Sequence, residues 1–190
     1  MAKKIVGFKL QLRLKEIQRR AKRARFDLQS NGLAEPELQP MLDAASRSLK
    51  PAVLYDTFAA PDPDQQALSP MPGLAYSLVL TSLGQGLSAQ REKTARENPS
   101  QAPLWDLCEE SALDDALRFV TSLLEDEAAR ESCELSPLSP MTEADKLEAA
   151  VRKLDGAKIG VSLTDAKLLP SASAACSISW LSKTKGRGKK

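Results

Sequence analysis

Histidine is missing from all 190 residues. Without an imidazole the chain has no Ser-His-Asp or Cys-His mechanism and no zinc site that needs a histidine ligand. Aromatic residues make up only 4%. That leaves Leu, Ala and Val to fill a core and argues against a platform on which nucleic-acid bases stack. No run of about 18 apolar residues occurs, and the N-terminus lacks the charged, apolar and small-residue order of a secretion signal. The sequence therefore predicts a cytoplasmic protein with no membrane span. Cysteine is sparse as well. Cys108, Cys133 and Cys176 are too widely spaced for a CxxC motif and too few for a disulfide framework, so buried free thiols are expected.

What is present is enough to fold. Hydrophobic residues are 42% of 190, which suits one domain with a real core. The net charge of +2 hides an uneven layout. Between Lys3 and Arg25 ten cations face only Glu16 and Asp27, and the end adds Lys183, Lys185, Arg187, Lys189 and Lys190, while the middle is acidic. Such a dipolar layout bears on association more than on fold.

Leu10, Leu14, Ile17, Ala21, Ala24 and Leu28 recur at steps of four and three, predicting a basic amphipathic helix over about 7–29 that Ser30, Asn31 and Gly32 close. Such a helix docks on its own domain, stays solvated, meets an acidic protein, or binds nucleic acid or a membrane surface. A second helix should run from Pro36 to about Leu49, stopped by Pro51. Ala52 to Phe58 reads as a strand. Ala59 to Gly73, rich in proline, reads as a surface loop with little capacity to pack.

Leu74 to Ser82 is almost continuously apolar and belongs at a sheet centre. Gly84 and Gly86 then allow a sharp turn into a helix reaching about Asn98. The strand, LGQG, helix order is able to aim backbone N–H groups at an anion, but the spacing fits neither a Walker A loop nor GxGxxG, and a simple turn is the plainer reading. A further helix over 101–132, with a break near Glu110, buries Leu113, Ala116, Leu117, Val120, Leu123 and Leu124. The adjacent pairs Glu109-Glu110 and Asp114-Asp115 diverge by about 100° on a helix, so they read as a solvated acidic face and not as a metal site. Cys133 to Pro140 is expected as an extended, proline-punctuated linker. Thr142 reads as an N-cap for a short helix ending at Gly156.

The most informative stretch lies near the end. In Ile159 to Trp180, Ile159, Val161 and Leu163 alternate with small or polar residues, as do Cys176, Ile178 and Trp180, predicting two half-buried strands. Thr164 and Asp165 end the first run, and Pro170 begins a crowded re-entry.

That stretch, GVSLTDAKLLPSASAAC, resembles the GVxLTES-x-x-MLP-x-x-SVS segment of the activation (reactivation) domain of vitamin B12-dependent methionine synthase and of its small free-standing relatives. Further pieces follow in the family's order. LKPAVLYDTF at Leu49 to Phe58 is similar to KPxAVYRxF, LVLTSLGQGLSAQ at Leu78 to Gln90 to ATLGPEVE, and LWDLCEESALDDAL at Leu104 to Leu117 to LLDALGSAAVEAL. Glu134 to Thr142 falls where the family has RxSPGY. The resemblance implies an α+β fold, an antiparallel sheet flanked by helices, here with an N-terminal basic amphipathic helix. It divides the chain into that helix at 1–33, an activation-like domain at 34–182 and a disordered basic tail at 183–190.

It further implies an accessory that acts in trans on a corrinoid-dependent methyltransferase. There it would support reductive reactivation with S-adenosylmethionine as cofactor, cobalamin staying on the partner because this chain has no histidine for cobalt. The reactivity belongs to the two cofactors, and the protein positions them. The implied ligand-contacting residues are Glu134, Ser136, Pro137, Ser139, Thr164 and Asp165. At that motif the sequence departs from the family: Glu134 stands where an arginine clamps a carboxylate, Leu138 where a glycine allows close approach, and Ser139 where there is a tyrosine. Reversing that sign costs about 1 to 4 kcal/mol at a few ångströms. Weak or no S-adenosylmethionine binding is predicted unless Arg130, Lys158 or Lys167 reaches the site. The alternative is a non-catalytic interaction module that has lost the ligand and contacts an acidic protein, or less plausibly nucleic acid.

Overall fold

A computed structural model describes residues 1–183; the tail expected to be disordered lies, from residue 184 on, outside the described residues. In chain order the elements are β1 (Lys3–Val6), α1 (Leu14–Arg23), α2 (Glu35–Ser48), β2 (Ala52–Ala59), α3 (Gln65–Leu68), β3 (Ala75–Ser82), α4 (Gly86–Glu97), α5 (Pro103–Arg130), β4 (Cys133–Leu135), β5 (Ser139–Pro140), α6 (Ala144–Leu154), β6 (Ser162–Thr164), β7 (Lys167–Leu169) and β8 (Ser173–Ser182). The main sheet is antiparallel, ordered β1, β2, β3, β8, β4, with β5 also paired to β8; β6 and β7 form a separate hairpin. The fold is α+β, as expected.

Strand β3 sits centrally, and all eight of its residues are buried. Its alternation sends side chains to two faces. Tyr76, Leu78 and Leu80 meet Leu147, Ala150 and Leu154 of α6, while Val79, with Ile178 and Trp180 of β8, meets Val120, Leu124 and Ala128 of α5. A third cluster joins Ile17 of α1, Leu38 and Leu42 of α2, Leu87 of α4 and Leu104 at the start of α5. Fully burying one such leucine stabilises by about 2 kcal/mol, so these three clusters hold the layers together.

Several expectations change. The segment read as a basic helix over 1–33 opens with a strand: Lys3 pairs opposite Tyr55 and Val6 opposite Ala52. Gly7, at φ +69, turns the chain off the sheet, and its N–H donates to the Pro51 carbonyl at 3.0 Å. Of the residues read as one helical stripe, Leu10 packs from an irregular connector together with Leu12, and the helix starts only at Leu14. The far end also closes early. Arg25 takes a left-handed conformation at φ 56, and the Phe26 N–H donates to Ala21 O at 2.9 Å, a helix-terminating pattern that does without glycine.

Helix α5 has no break near Glu110, because Cys108, Ser111 and Ala112 are buried there and carry it from one core cluster to the next. Its 28 residues span about 42 Å. The loop at 59–73 does pack: it contains α3, and Leu68 is buried. The linker at 133–140 is two short strands on β8. Thr142 does not cap α6, which starts two residues later behind Glu143 with no side-chain cap. Ile159 closes a 3-10 turn instead of opening a strand. Only Ser162–Thr164 is extended there, and the expected polar connector supplies its partner, β7.

Candidate functional site

The residues proposed from sequence for ligand contact fall in two places. Glu134 pairs opposite Leu181 and Ser139 opposite Ser177 on β8. Between them the register slips by one residue, since Leu135 faces Trp180 but Pro140 faces Cys176. The extra residue is accommodated as a β-bulge at Pro137-Leu138, a device that re-aims side chains and breaks pairing. Ser136 anchors it. The Ser136 N–H donates to Ser179 O at 2.9 Å, and its Oγ accepts from the Ser179 N–H at 2.9 Å while donating to Pro137 O at 3.0 Å. That hydroxyl is buried and serves the scaffold. Thr164 and Asp165 stand elsewhere, at the exposed tip of the β6–β7 hairpin. Asp165 at φ 49 and Ala166 at φ 59 form its two-residue turn, of the kind that matches strand twist. Among the described residues no hydrogen bond joins the two groups.

What the bulge does meet was not legible from sequence. Ser179, on the α6 face beside Tyr76, bonds Ser69 Oγ at 2.8 Å, accepts from the Met71 N–H at 3.0 Å and donates to Met71 O at 2.8 Å. The loop between β2 and β3 is thereby tied to β8, the strand that pairs opposite the bulge. A second tie lies alongside. Lys153 of α6 reaches Asp62 and Asp64, each at 2.8 Å, and lies over the rings of Phe58 and Tyr76. Tyr76 donates to Asp62 at 2.8 Å. Burial disfavours charge on both Lys153 and Asp62, but the hydrogen bonds between them outweigh it, so the ammonium is held up and the carboxyl below the usual carboxylate range. Burial, then Asp62, pushes the Tyr76 phenol up to about 12. A cavity of about 550 Å³ lies on this loop, lined among others by Asp62, Gln65, Gln66, Ser69 and Met71. In sequence this loop reads only as proline-rich, and nothing in the order of residues points to Lys153.

The acidic face of α5 has a partner within the chain. Arg20 of α1 bonds Asp114 and Glu16, with Glu110 at 3.6 Å, and Arg13 lies 3.6 Å from Asp115. The basic helix therefore docks intramolecularly, although Lys22, Arg23 and Arg25 stay exposed. Burial pushes the Cys108 and Cys176 thiols up to about 12, and all three cysteines are free and buried. Gly86, at the strand-to-helix turn, packs against the Ser48 carbonyl, where a Cβ would collide; the turn is a packing device. Among the described residues no group of three or more cysteine or acidic side chains is placed to hold a metal, and no helix is long and apolar enough to cross a membrane.

By sequence, no family model and no curated protein matches the chain. By structure, a crystal structure of the MetH reactivation domain bound to AdoHcy is similar, with a TM-score of 0.62 over 97% of this chain and 80% of that one, at 11% identity. The chain has the fold of the MetH reactivation domain. On this reactivation-domain fold, the resembling serine-proline run at 136–137 occupies the bulge on β8. Its flanking charge remains reversed. Glu134 is exposed and makes no ion pair among the described residues, Lys158 pairs with Asp155 at 3.3 Å, and neither Arg130 nor Lys167 bonds residues 134–139.

Proposed function

We propose that the chain is an accessory module that docks in trans on a corrinoid-dependent methyltransferase and supports its S-adenosylmethionine-dependent reductive reactivation. One observation carries this reading: the structural match to the MetH reactivation domain extends over 97% of the chain. When bound, a sulfonium donor and a partner's corrinoid would supply the chemistry, and this chain would supply position. Its own residues are arranged for that. Ser136 fixes the bulge, Ser179 fixes the overlying loop, and Lys153 locks that loop to α6. Thr164 and Asp165, whose side chains make no hydrogen bond among the described residues, are the predicted contacts left free to meet ligand or partner.

The alternative reading, which rests on Glu134 and on the Ser136 hydroxyl already bonded within the scaffold, is an interaction module with the same fold that binds no S-adenosylmethionine. Its partner would be an acidic protein met by Lys22, Arg23 and Arg25. Calorimetric titration separates the two. A dissociation constant tighter than about 100 μM for S-adenosylmethionine, abolished by Asp165→Ala, is expected of the accessory. No heat at millimolar ligand, with or without a corrinoid methyltransferase present, removes that reading and leaves the interaction module.

A further inference from the structure

A cavity of about 760 Å³ opens between the β1–α1 connector and the link from α2 to β2, away from the bulge and its loop. Its walls are apolar, with Val6, Phe8, Leu10, Leu49, Pro51 and Ile159 facing it. Val6 is 58% exposed, much more than a valine buried in a core. Lys4 helps shape the wall by donating from Nζ to the carbonyl of Lys158, next to Ile159. Three cations, Lys9, Arg47 and Lys50, also line the cavity, and no acidic side chain does. Among the described residues none of the three forms an ion pair.

The imbalance is local. On the other side of the same connector a second cavity shares Phe8, Lys9, Leu10 and Gln11, but there Asp115 sits 3.6 Å from Arg13 and 3.7 Å from Arg118. The first cavity thus joins an apolar volume of ligand size with cations that lack a counter-charge, the two halves of a site for an amphiphile carrying one anionic end. An acidic or cationic ligand tip would separate these cases, because only an anion gains from all three side chains.

We propose that this cavity binds a free single-chain carboxylate, its alkyl tail against Val6, Phe8, Leu49 and Ile159 and its carboxylate among Lys9, Arg47 and Lys50. Tail burial sets affinity, rising about fourfold per methylene enclosed, and the cations set the sign of the head group. This goes beyond the proposed function and stands apart from it, since none of these residues belongs to the bulge, its loop or the hairpin tip.

The test is calorimetric titration of the full chain with octanoate, dodecanoate and dodecyltrimethylammonium, each below micelle formation. Saturable one-to-one binding is expected for dodecanoate, at least tenfold weaker for octanoate and undetectable for the cationic chain. Arg47→Glu combined with Lys50→Glu, both exposed, should weaken dodecanoate at least tenfold with an unchanged circular-dichroism spectrum. Val6→Glu is a second variant that should do the same from the wall. Equal binding of the cationic amphiphile, unchanged affinity in both variants, or association only with vesicles of anionic phospholipid overturns the proposal.

Discussion

At the scale of single residues, Lys153 has the most to lose. Its side chain is 13% exposed and that of Asp62 16%, so the pair lies between a surface ion pair and a buried one. Lys153→Met should cost about 2 kcal/mol, chiefly by leaving Asp62 without its cation. The pH dependence has a definite sign. The folded Asp62 titrates below its unfolded value, so its stabilisation is present above the unfolded carboxylate pKa and is lost as pH falls through the folded one. The difference in melting temperature between wild type and Lys153→Met should therefore be largest near neutrality and shrink below about pH 4; a gap that widens with acid contradicts the pairing. The buried thiols give a second check. In a Cys133→Ser background, Cys108 and Cys176 should resist a thiol reagent in the native protein and react at once in guanidinium, because burial pushes both up to about 12. Rapid native labelling would show that the α5 core opens.

At the scale of elements, the bulge and the first strand are decisive. Ser136→Ala removes the acceptor for the buried Ser179 N–H, at a cost of about 1 to 3 kcal/mol, and should raise hydrogen exchange at Ser179 and Met71 while sparing β2. Equal exchange in wild type and variant would mean that the bulge does not hold the loop. Deleting residues 1–8 removes β1 and bares the hydrogen-bonding edge of β2. The shortened chain should melt lower and self-associate on gel filtration; a monomer of unchanged stability would mean that the strand is dispensable. These two elements also show what sequence reveals. Strand β3 was legible because eight consecutive buried residues leave a continuous apolar run, and α2 because Pro36 and Pro51 bracket it. Strand β1 was not, since its residues are mostly exposed and Leu10, in the irregular connector after it, falls at helical spacing from Leu14 and Ile17 of α1. The bulge was invisible too. One extra residue among Ser136-Pro137-Leu138 looks like linker until Ser179 and Trp180 provide the register.

On the scale of the whole molecule, charge and fold lead to different conclusions about partners. The basic N-terminal segment was open to docking on its own domain, solvation, an acidic protein, nucleic acid or a membrane surface, and Arg13 and Arg20 pair with Asp115, Asp114 and Glu110 of α5. Among the described residues, Lys22, Arg23 and Arg25 of this segment stay exposed. The fold, shared along nearly the whole chain with a domain crystallised with AdoHcy, carries the functional proposal further than charge does. The sequence resemblance implies ligand contacts at residues 134–139, and there the structure has the bulge anchored by Ser136 beside an exposed Glu134. The most direct measurement combines this chain with a corrinoid methyltransferase lacking its own reactivation domain, in the inactive cob(II)alamin state, with S-adenosylmethionine and an electron donor. The account predicts that adding the chain produces the absorbance change to methylcobalamin and restores turnover, and that the Ser136→Ala variant does so less well. No absorbance change at a saturating excess of folded chain would contradict it.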